Sequence, residues 1–253
     1  MTEPLISVIM PAYNADRFIT AAIQSVISQT YSNWELLILD DGSVDRTCEI
    51  ARQFALKDER IRLLENEKNM GVARTRNRGF DLCKGSYVAL LDSDDVWHAD
   101  KLEKQLACLQ ESGADFAYSS YSIVDVHGEK AKADYLVPEE INFRELLKEN
   151  VIGCSAVLMK ADVLKEHRFL TDFFHEDYVL WLQLLQSGYR AVGCKDVLLD
   201  WRYVENSRSF NKRRAAQNRW RIYRKYLHLS LPKSVWAFSH YALRSLRKYH
   251  GKA

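Results

Sequence analysis

No Gly-x-Gly-x-x-Gly fingerprint follows the first predicted strand of this 253-residue chain, and no Walker A loop is present. The glycines that cradle a dinucleotide or a triphosphate are missing, so nicotinamide-dinucleotide and P-loop chemistry lose most of their support. Cysteine is sparse. Cys48, Cys83, Cys108, Cys154 and Cys194 lie far apart with no Cys-x-x-Cys pair, which argues against a zinc site or a disulfide framework and fits a reducing compartment. Four prolines and ten glycines exclude a low-complexity chain. No apolar run approaches the roughly 18 residues of a membrane span. Met1-Thr2-Glu3-Pro4 leads straight into a strand-like run, so no signal peptide is expected. Acidic residues are absent from 208–253, which hold 13 Lys or Arg; the rest of the chain carries 23 basic and all 34 acidic side chains.

That asymmetry sets a body of about −11 against a tail of +13. The tail also contains Trp220, Tyr223, Tyr226, Trp236, Phe238, Tyr241 and Tyr249. Basic residues mixed with aromatic ones suit an anionic membrane surface. A solvated helical tail packed on the body is the alternative, and nucleic acid is not an expected partner.

Two acidic clusters are the most informative feature present. Asp40-Asp41-Gly42-Ser43 follows the apolar run Trp34 to Leu39, and Asp92-Ser93-Asp94-Asp95 follows Tyr87 to Leu91. Short apolar runs bounded by polar turns read as buried parallel strands. Open parallel sheets bind ligands beyond the carboxyl ends of their strands. Carboxylates gathered there need a metal ion or a ligand's donor groups to offset their burial. Asp92 and Asp94, one residue apart on a turn, can approach a single cation, and oxygen ligands suit Mg²⁺ or Mn²⁺. Each cluster can equally cap the helix that follows it.

Along the chain, strands are predicted at Leu5 to Met10, Trp34 to Leu39, Ile61 to Leu64 and Tyr87 to Leu91. Helices fall at about 16–29, 45–57, 71–83 and 100–111. Four β/α alternations predict a helix-covered parallel sheet. Phe116 to Val124 reads as a further strand with a turn at His127-Gly128. Glu176 to Ser187 reads as a helix, Tyr189 to Tyr203 as one or two strands, and Lys212 to Leu227 and Val235 to Tyr249 as two tail helices. The expected organisation is a domain over 1–207, divided into a regularly alternating half (1–110) and a less regular half (111–207), followed by the basic tail 208–253. Arg74, Arg76 and Arg78 fan out around the start of one helix, so at most one or two face a common site; Arg76 and Arg78 read as solvated surface.

Four elements in order carry a family resemblance. They are Val8-Ile9-Met10-Pro11-Ala12-Tyr13-Asn14, Trp34-Glu35-Leu36 into Asp40-Asp41-Gly42-Ser43, Asn69-Met70-Gly71-Val72-Ala73-Arg74-Thr75-Arg76-Asn77, and Leu91-Asp92-Ser93-Asp94-Asp95-Val96-Trp97. Together they resemble the family 2 glycosyltransferases, and within them the bacterial enzymes of lipopolysaccharide, capsule or teichuronic-acid assembly. The resemblance implies an α/β GT-A (Rossmann-like), mostly parallel sheet flanked by helices. It implies that the first half (1–110) binds a nucleotide-sugar and the second (111–207) an acceptor. It implies that Pro11, Ala12 and Tyr13 line a nucleotide pocket. Asp41 would hold the base with Asp40 beside it, and Arg74 would reach the nucleotide. Asp92 and Ser93 would touch ribose or sugar, and Asp94, with Asp92, would hold Mn²⁺ or Mg²⁺ as a DXD motif.

His175-Glu176-Asp177-Tyr178-Val179-Leu180-Trp181 is similar to the family's Glu-Asp motif, whose Asp serves as general base. In an inverting transfer the acceptor hydroxyl attacks opposite the leaving diphosphate and loses a proton, so a carboxylate belongs on the acceptor side. Asp177 is the expected base, with Glu176 positioning it or the acceptor. Trp181, four residues on, is an expected acceptor wall, with a core role as the alternative. Trp201-Arg202-Tyr203-Val204 is similar to a Tyr-Arg-x-His stretch, but Val204 replaces the His; Arg202, Asn206 and Ser207 remain candidates for ligand contact. The implied activity is transfer of a sugar from a nucleotide-sugar, UDP-linked by the family's habit, to a glycan or lipid-linked acceptor. The implied location is the cytoplasmic face of the membrane. A sugar-phosphate nucleotidyltransferase and a catalytically silent nucleotide-sugar-binding scaffold are the rival readings.

Overall fold

The computed structural model describes residues 3–203 and 212–250, the side chains of Lys212 and of 245–250 excepted. Strands β1 (Ile6–Ala12) and β2 (Trp34–Asp40) are buried at every position. Helices on both faces explain this. In β1, Ile6, Val8 and Met10 join one core and Ile9 the other, following the two-residue alternation of a strand. The first core is closed by α1 (Ile19–Ile27), α2 (Thr47–Ala55) and α4 (Lys101–Ser112). The second is closed by α3 (Val72–Leu82), α5 (Phe143–Lys148) and α7 (Glu176–Gln186). A short α6 (Val163–Glu166) follows the sheet's middle.

The sheet runs β3 (Ile61–Glu65), β2, β1, β4 (Tyr87–Leu90), β8 (Val157–Lys160), β6 (Phe116–Val124), β9 (Ala191–Arg202), β5 (Val96–Trp97), with β7 (Lys130–Tyr135) paired to β6. Its first four strands are parallel. Beyond β4 it is mixed: β8 is antiparallel to β4 and β6, β9 is parallel to β6, and β5 is antiparallel to β9. The chain steps outward through β1, β2 and β3, then returns to lay β4 on the other side of β1. A crevice lies beyond the carboxyl ends of β1 and β4, lined by the segments that follow them.

The predicted elements are present, with shifted ends. Pro11 and Ala12 belong to β1 rather than to the turn after it. No side chain caps α1, which starts at Ile19; the Asp16 amide instead donates to Asp45 Oδ2 at 3.1 Å. Asn14, Ala15 and Asp16 are in this way zipped to Ser43, Thr47 and Asp45. Gly42 has φ +77°, and a Cβ there would lie 2.9 Å from the Asn69 amide nitrogen. Only glycine lets the acidic turn and the Asn69 loop approach this closely.

The tail packs on the body. Helix α8 (Lys212–Arg221) continues as a π-helical turn, Ile222–Tyr226, and α9 (Leu231–His250) returns across α5. Ile222, Tyr223 and Ala237 are fully buried in the second core. The Tyr223 hydroxyl donates to the Leu147 carbonyl at 2.5 Å, and Arg244 pairs with Glu149 at 2.9 Å. The tail helices thus share a core with the body. The expected boundary at 207/208 lies outside the described residues.

Candidate active site

The crevice is a cavity of about 790 Å³. Its lining includes Pro11, Ala12 and Tyr13 from the end of β1, and Asp41 just past β2. Ser93 and Asp94 come from the turn after β4, and Asp177 from the start of α7. Tyr13 stands at the rim, 49% exposed.

Asp41 anchors the loop before α3. Its Oδ1 accepts from Asn66 Nδ2 and the Met70 amide, and its Oδ2 from the Gly71 amide, all at 2.8 Å. Asp40, expected beside it, does not line the cavity. It is buried as the last residue of β2 and accepts from the Ser43 amide at 3.0 Å. Strand alternation turns the two neighbours to opposite sides.

Arg74 also departs from expectation: it is exposed and lies outside the cavity lining. Arg76 takes the place expected of it. Only 4% exposed, Arg76 donates through Nη2 to Asp92 Oδ1 at 2.6 Å and through Nη1 to Glu176 Oε1 at 2.9 Å. The signal for this was helical phase. Arg76 falls on the face of α3 shared by Ala73 and Phe80, three back and four on, and both are buried. A guanidinium on an apolar face requires buried carboxylates to meet it.

The Asp92–Asp95 turn is held from three sides. Arg76 grips the Asp92 carboxylate, and the Asp92 amide donates to Ser155 Oγ at 3.0 Å. Ser155 Oγ donates to Asp95 Oδ2 at 2.5 Å, while Asp95 Oδ1 accepts from the Arg202 amide at 2.9 Å. Arg202 Nε donates to the Asp94 carbonyl at 2.8 Å, and its Nη1 to the Asp125 carbonyl at 2.9 Å. Arg202 therefore lines the cavity while fixing the acidic turn. Ser155 was not anticipated from the sequence, since an isolated serine ahead of a strand carries no pattern. Val204, Asn206 and Ser207 lie outside the described residues.

Charge is concentrated here. Burial, reinforced by the neighbouring Asp92 charge, pushes the Asp94 carboxyl up to about 6. Burial, with Asp94 and Asp92 adding to it, also raises Asp95. Asp177 is raised by burial, against the lowering effects of the Tyr178 amide, Arg76 and Arg219. Arg219 of α8 is itself buried, stacked 3.5 Å from the Tyr178 ring centroid and 4.8 Å from that of Tyr241.

Asp92 and Asp94 supply hard oxygen donors where burial disfavours bare negative charge, which fits a divalent cation. Among the described residues no three His, Cys, Asp or Glu side chains converge as a metal cage. A cation here would draw its remaining ligands from substrate phosphate oxygens and water. His175 lines the cavity, with its Nδ1 3.5 Å from Asn218 Nδ2. Trp181 does not line it. The indole is fully buried and stacks on Phe116, ring centroids 6.1 Å apart, so the acceptor-wall expectation is replaced by a core role. It sits one helical turn past Asp177, on the face of α7 that meets the sheet.

Residues 7–168 match the family model for Glycosyl transferase family 2. The chain belongs to that family. The transferase is 37% identical over 246 residues to TuaG of Bacillus subtilis, named for teichuronic acid biosynthesis, covering 97% of this chain and 98% of the relative. It is 35% identical over 251 residues to the Escherichia coli UDP-Glc:alpha-D-GlcNAc-diphosphoundecaprenol beta-1,3-glucosyltransferase WfgD, covering 98% and 96%. Among solved structures, Staphylococcus aureus TarS 1–349 in complex with UDP-GlcNAc matches with a TM-score of 0.72 at 18% identity, over 94% of this chain and 71% of that one. The mannosyltransferase PcManGT from Pyrobaculum calidifontis, in complex with GDP-Man and Mn²⁺, matches with a TM-score of 0.72 at 19% identity, over 100% and 77%. At such identities these structures establish the GT-A fold. Membership of the family makes the chain a glycosyltransferase, and the nucleotidyltransferase reading is set aside.

Proposed function

We propose that the chain is a metal-dependent, inverting glycosyltransferase that moves a sugar from a UDP-sugar to a lipid-linked glycan at the inner face of the cell membrane. One observation carries the reading: the Asp92–Asp94 pair and Asp177 line the same cavity, and Arg76 bridges Asp92 to Glu176, the residue before Asp177. Asp41 and the Pro11–Tyr13 segment would receive the nucleoside. Asp94 and Asp92 would hold Mn²⁺ or Mg²⁺. When bound, the ion would neutralise charge on the departing diphosphate. Asp177 would take the proton of the acceptor hydroxyl as that oxygen attacks the anomeric carbon and the bond to the diphosphate breaks. Burial raises its proton affinity above that of an ordinary aspartate, which makes it the stronger base. Glu176, held by Arg76, positions the base. A UDP-sugar donor is supported by the name of the Escherichia coli relative.

Attachment to the membrane would be peripheral, since no helix among the described residues is long and apolar enough to cross one. Leu231, Val235 and Leu243 are exposed along α9 at multiples of four residues, one stripe of the helix. Arg213, Arg224, Lys225 and Lys233 are also exposed in the tail. Exposed apolar residues and cations on one tail suit an anionic bilayer surface.

Calorimetric titration with UDP and UDP-sugars, first with Mn²⁺ and then with EDTA, tests the donor site. Metal-dependent UDP binding that disappears in Asp94→Ala is expected. Absence of binding by every nucleotide would move the weight to a scaffold.

A further inference from the structure

A second cleft of about 350 Å³ adjoins the catalytic segment. One wall is a single face of α8, where Arg214, Gln217, Asn218 and Arg221 recur at spacings of three and four. The other wall is the loop from Thr171 to Phe174. Phe174 lines both this cleft and the main cavity. Asn218 fastens the two walls together, its Oδ1 accepting from the Phe174 amide at 3.1 Å. From Phe174 the chain passes through His175 and Glu176 to Asp177.

The chemistry of the lining is selective. Among the described residues, two guanidiniums and two carboxamides line the space, and the one acidic side chain in its lining, Asp172, is exposed. Arg221 Nη1 donates to the Asp172 carbonyl at 3.0 Å, which sets its fork against the loop. Arg214 lies over the Phe174 ring, 4.4 Å from its centroid. Forked guanidiniums held in place recognise phosphate oxygens in pairs. The volume stands at the low end of ligand clefts, too small for a second nucleotide-sugar and suited to a compact polar group.

We infer that this cleft binds a phosphate or diphosphate carried by the acceptor, beside the sugar whose hydroxyl meets Asp177. The inference rests on the transferase reading of the main cavity and specifies its acceptor: a sugar already esterified to phosphate, in a lipid diphosphate or a soluble sugar phosphate. The tail then contributes substrate recognition through α8.

The test is calorimetry on the full chain with UDP and Mn²⁺ saturating. Decyl diphosphate and N-acetylglucosamine 1-phosphate are titrated separately, with neutral decyl glucoside as comparison. At least one phosphate probe binds the wild type, and which one separates the lipid source from the soluble one. Arg214→Gln/Arg221→Gln weakens that probe at least tenfold, and Gln217→Glu, which adds a carboxylate to the same wall, weakens it similarly. Lys57→Gln/Lys165→Gln, which removes equal charge from exposed positions outside both the cleft and the tail, leaves it unchanged, and UDP affinity is the same throughout. The subsite is overturned if UDP binds but neither phosphate probe does. It is also overturned if both double variants lose the probe equally, or if decyl glucoside binds as well as decyl diphosphate. Failure of UDP itself to bind defeats the transferase reading first.

Discussion

Arg76 lies 2.9 Å from Glu176, one hundred residues on in the chain, and through that contact α3 holds the start of α7. The same guanidinium grips Asp92 at 2.6 Å. Replacing it leaves two carboxylates without their buried countercharge. Arg76→Met is expected to destabilise the fold by about 3–5 kcal/mol and to abolish transfer. Arg76→Lys restores little of either, because one ammonium cannot reproduce the fork. Denaturant unfolding and transfer rates on the three proteins check this. A stable, active Arg76→Met variant would remove the bridge from the account.

Asp177→Asn is expected to lower transfer by about 10²–10⁴-fold while UDP affinity is kept. Because burial raises the carboxyl above its ordinary value, the acid limb of kcat/KM lies above the usual aspartate range, with activity rising as pH rises through it. The residual activity of the variant lacks that limb. Lost UDP binding would instead move Asp177 into the donor site.

The exposed stripe on α9 makes a separate prediction. Leu231→Ser/Val235→Ser/Leu243→Ser alters exposed positions only and should release the protein from anionic liposomes in co-sedimentation. Donor binding should be unchanged. Equal sedimentation of both proteins would refute attachment through this face.

Lys101 is fully buried, with its Nζ 2.6 Å from Gln105 Oε1 and 4.0 Å from the Trp97 ring centroid. Burial pulls its proton affinity down to about 7 from an ordinary 10.5. Between those values the unfolded chain binds the extra proton, so this side chain makes stability rise with pH. Below about 7 the folded state carries the full cost of a buried ammonium. Lys101→Met should therefore be more stable than wild type at pH 6, by about 1–4 kcal/mol, with the gap narrowing towards pH 10. Parallel stability–pH curves for the two proteins would contradict this.

Much of the fold was legible because its first half obeys simple periods. Leu36 to Leu39 is apolar enough to be buried on both faces, and the glycines at 42 and 71 mark turns whose φ is positive. The candidate site was legible where carboxylates follow strands, at Asp41 and at Asp92 to Asp94. What escaped depended on contacts between distant segments. Arg76 reads as surface until α3 is laid against α7. Trp181 reads as a pocket wall until Phe116 is stacked on it. Asp40 and Asp41 are chemically alike, and only strand phase decides which one faces the cavity. The tail's charge pattern described its exposed side and concealed Ile222, Tyr223 and Ala237, which hold it in place.

The knot of Asp95, Ser155 and Arg202 bears on how such enzymes diversify. The acidic turn belongs to the first half of the chain, and besides Arg76 its fastenings, Ser155 and Arg202, come from the second. Recombination that exchanges one half for a relative's would dislodge the turn unless the incoming segment also supplies a hydroxyl near 155 and a backbone amide near 202. New acceptor preferences are thus easier to acquire by piecemeal change in α8 and the 171–174 loop than by wholesale exchange of halves.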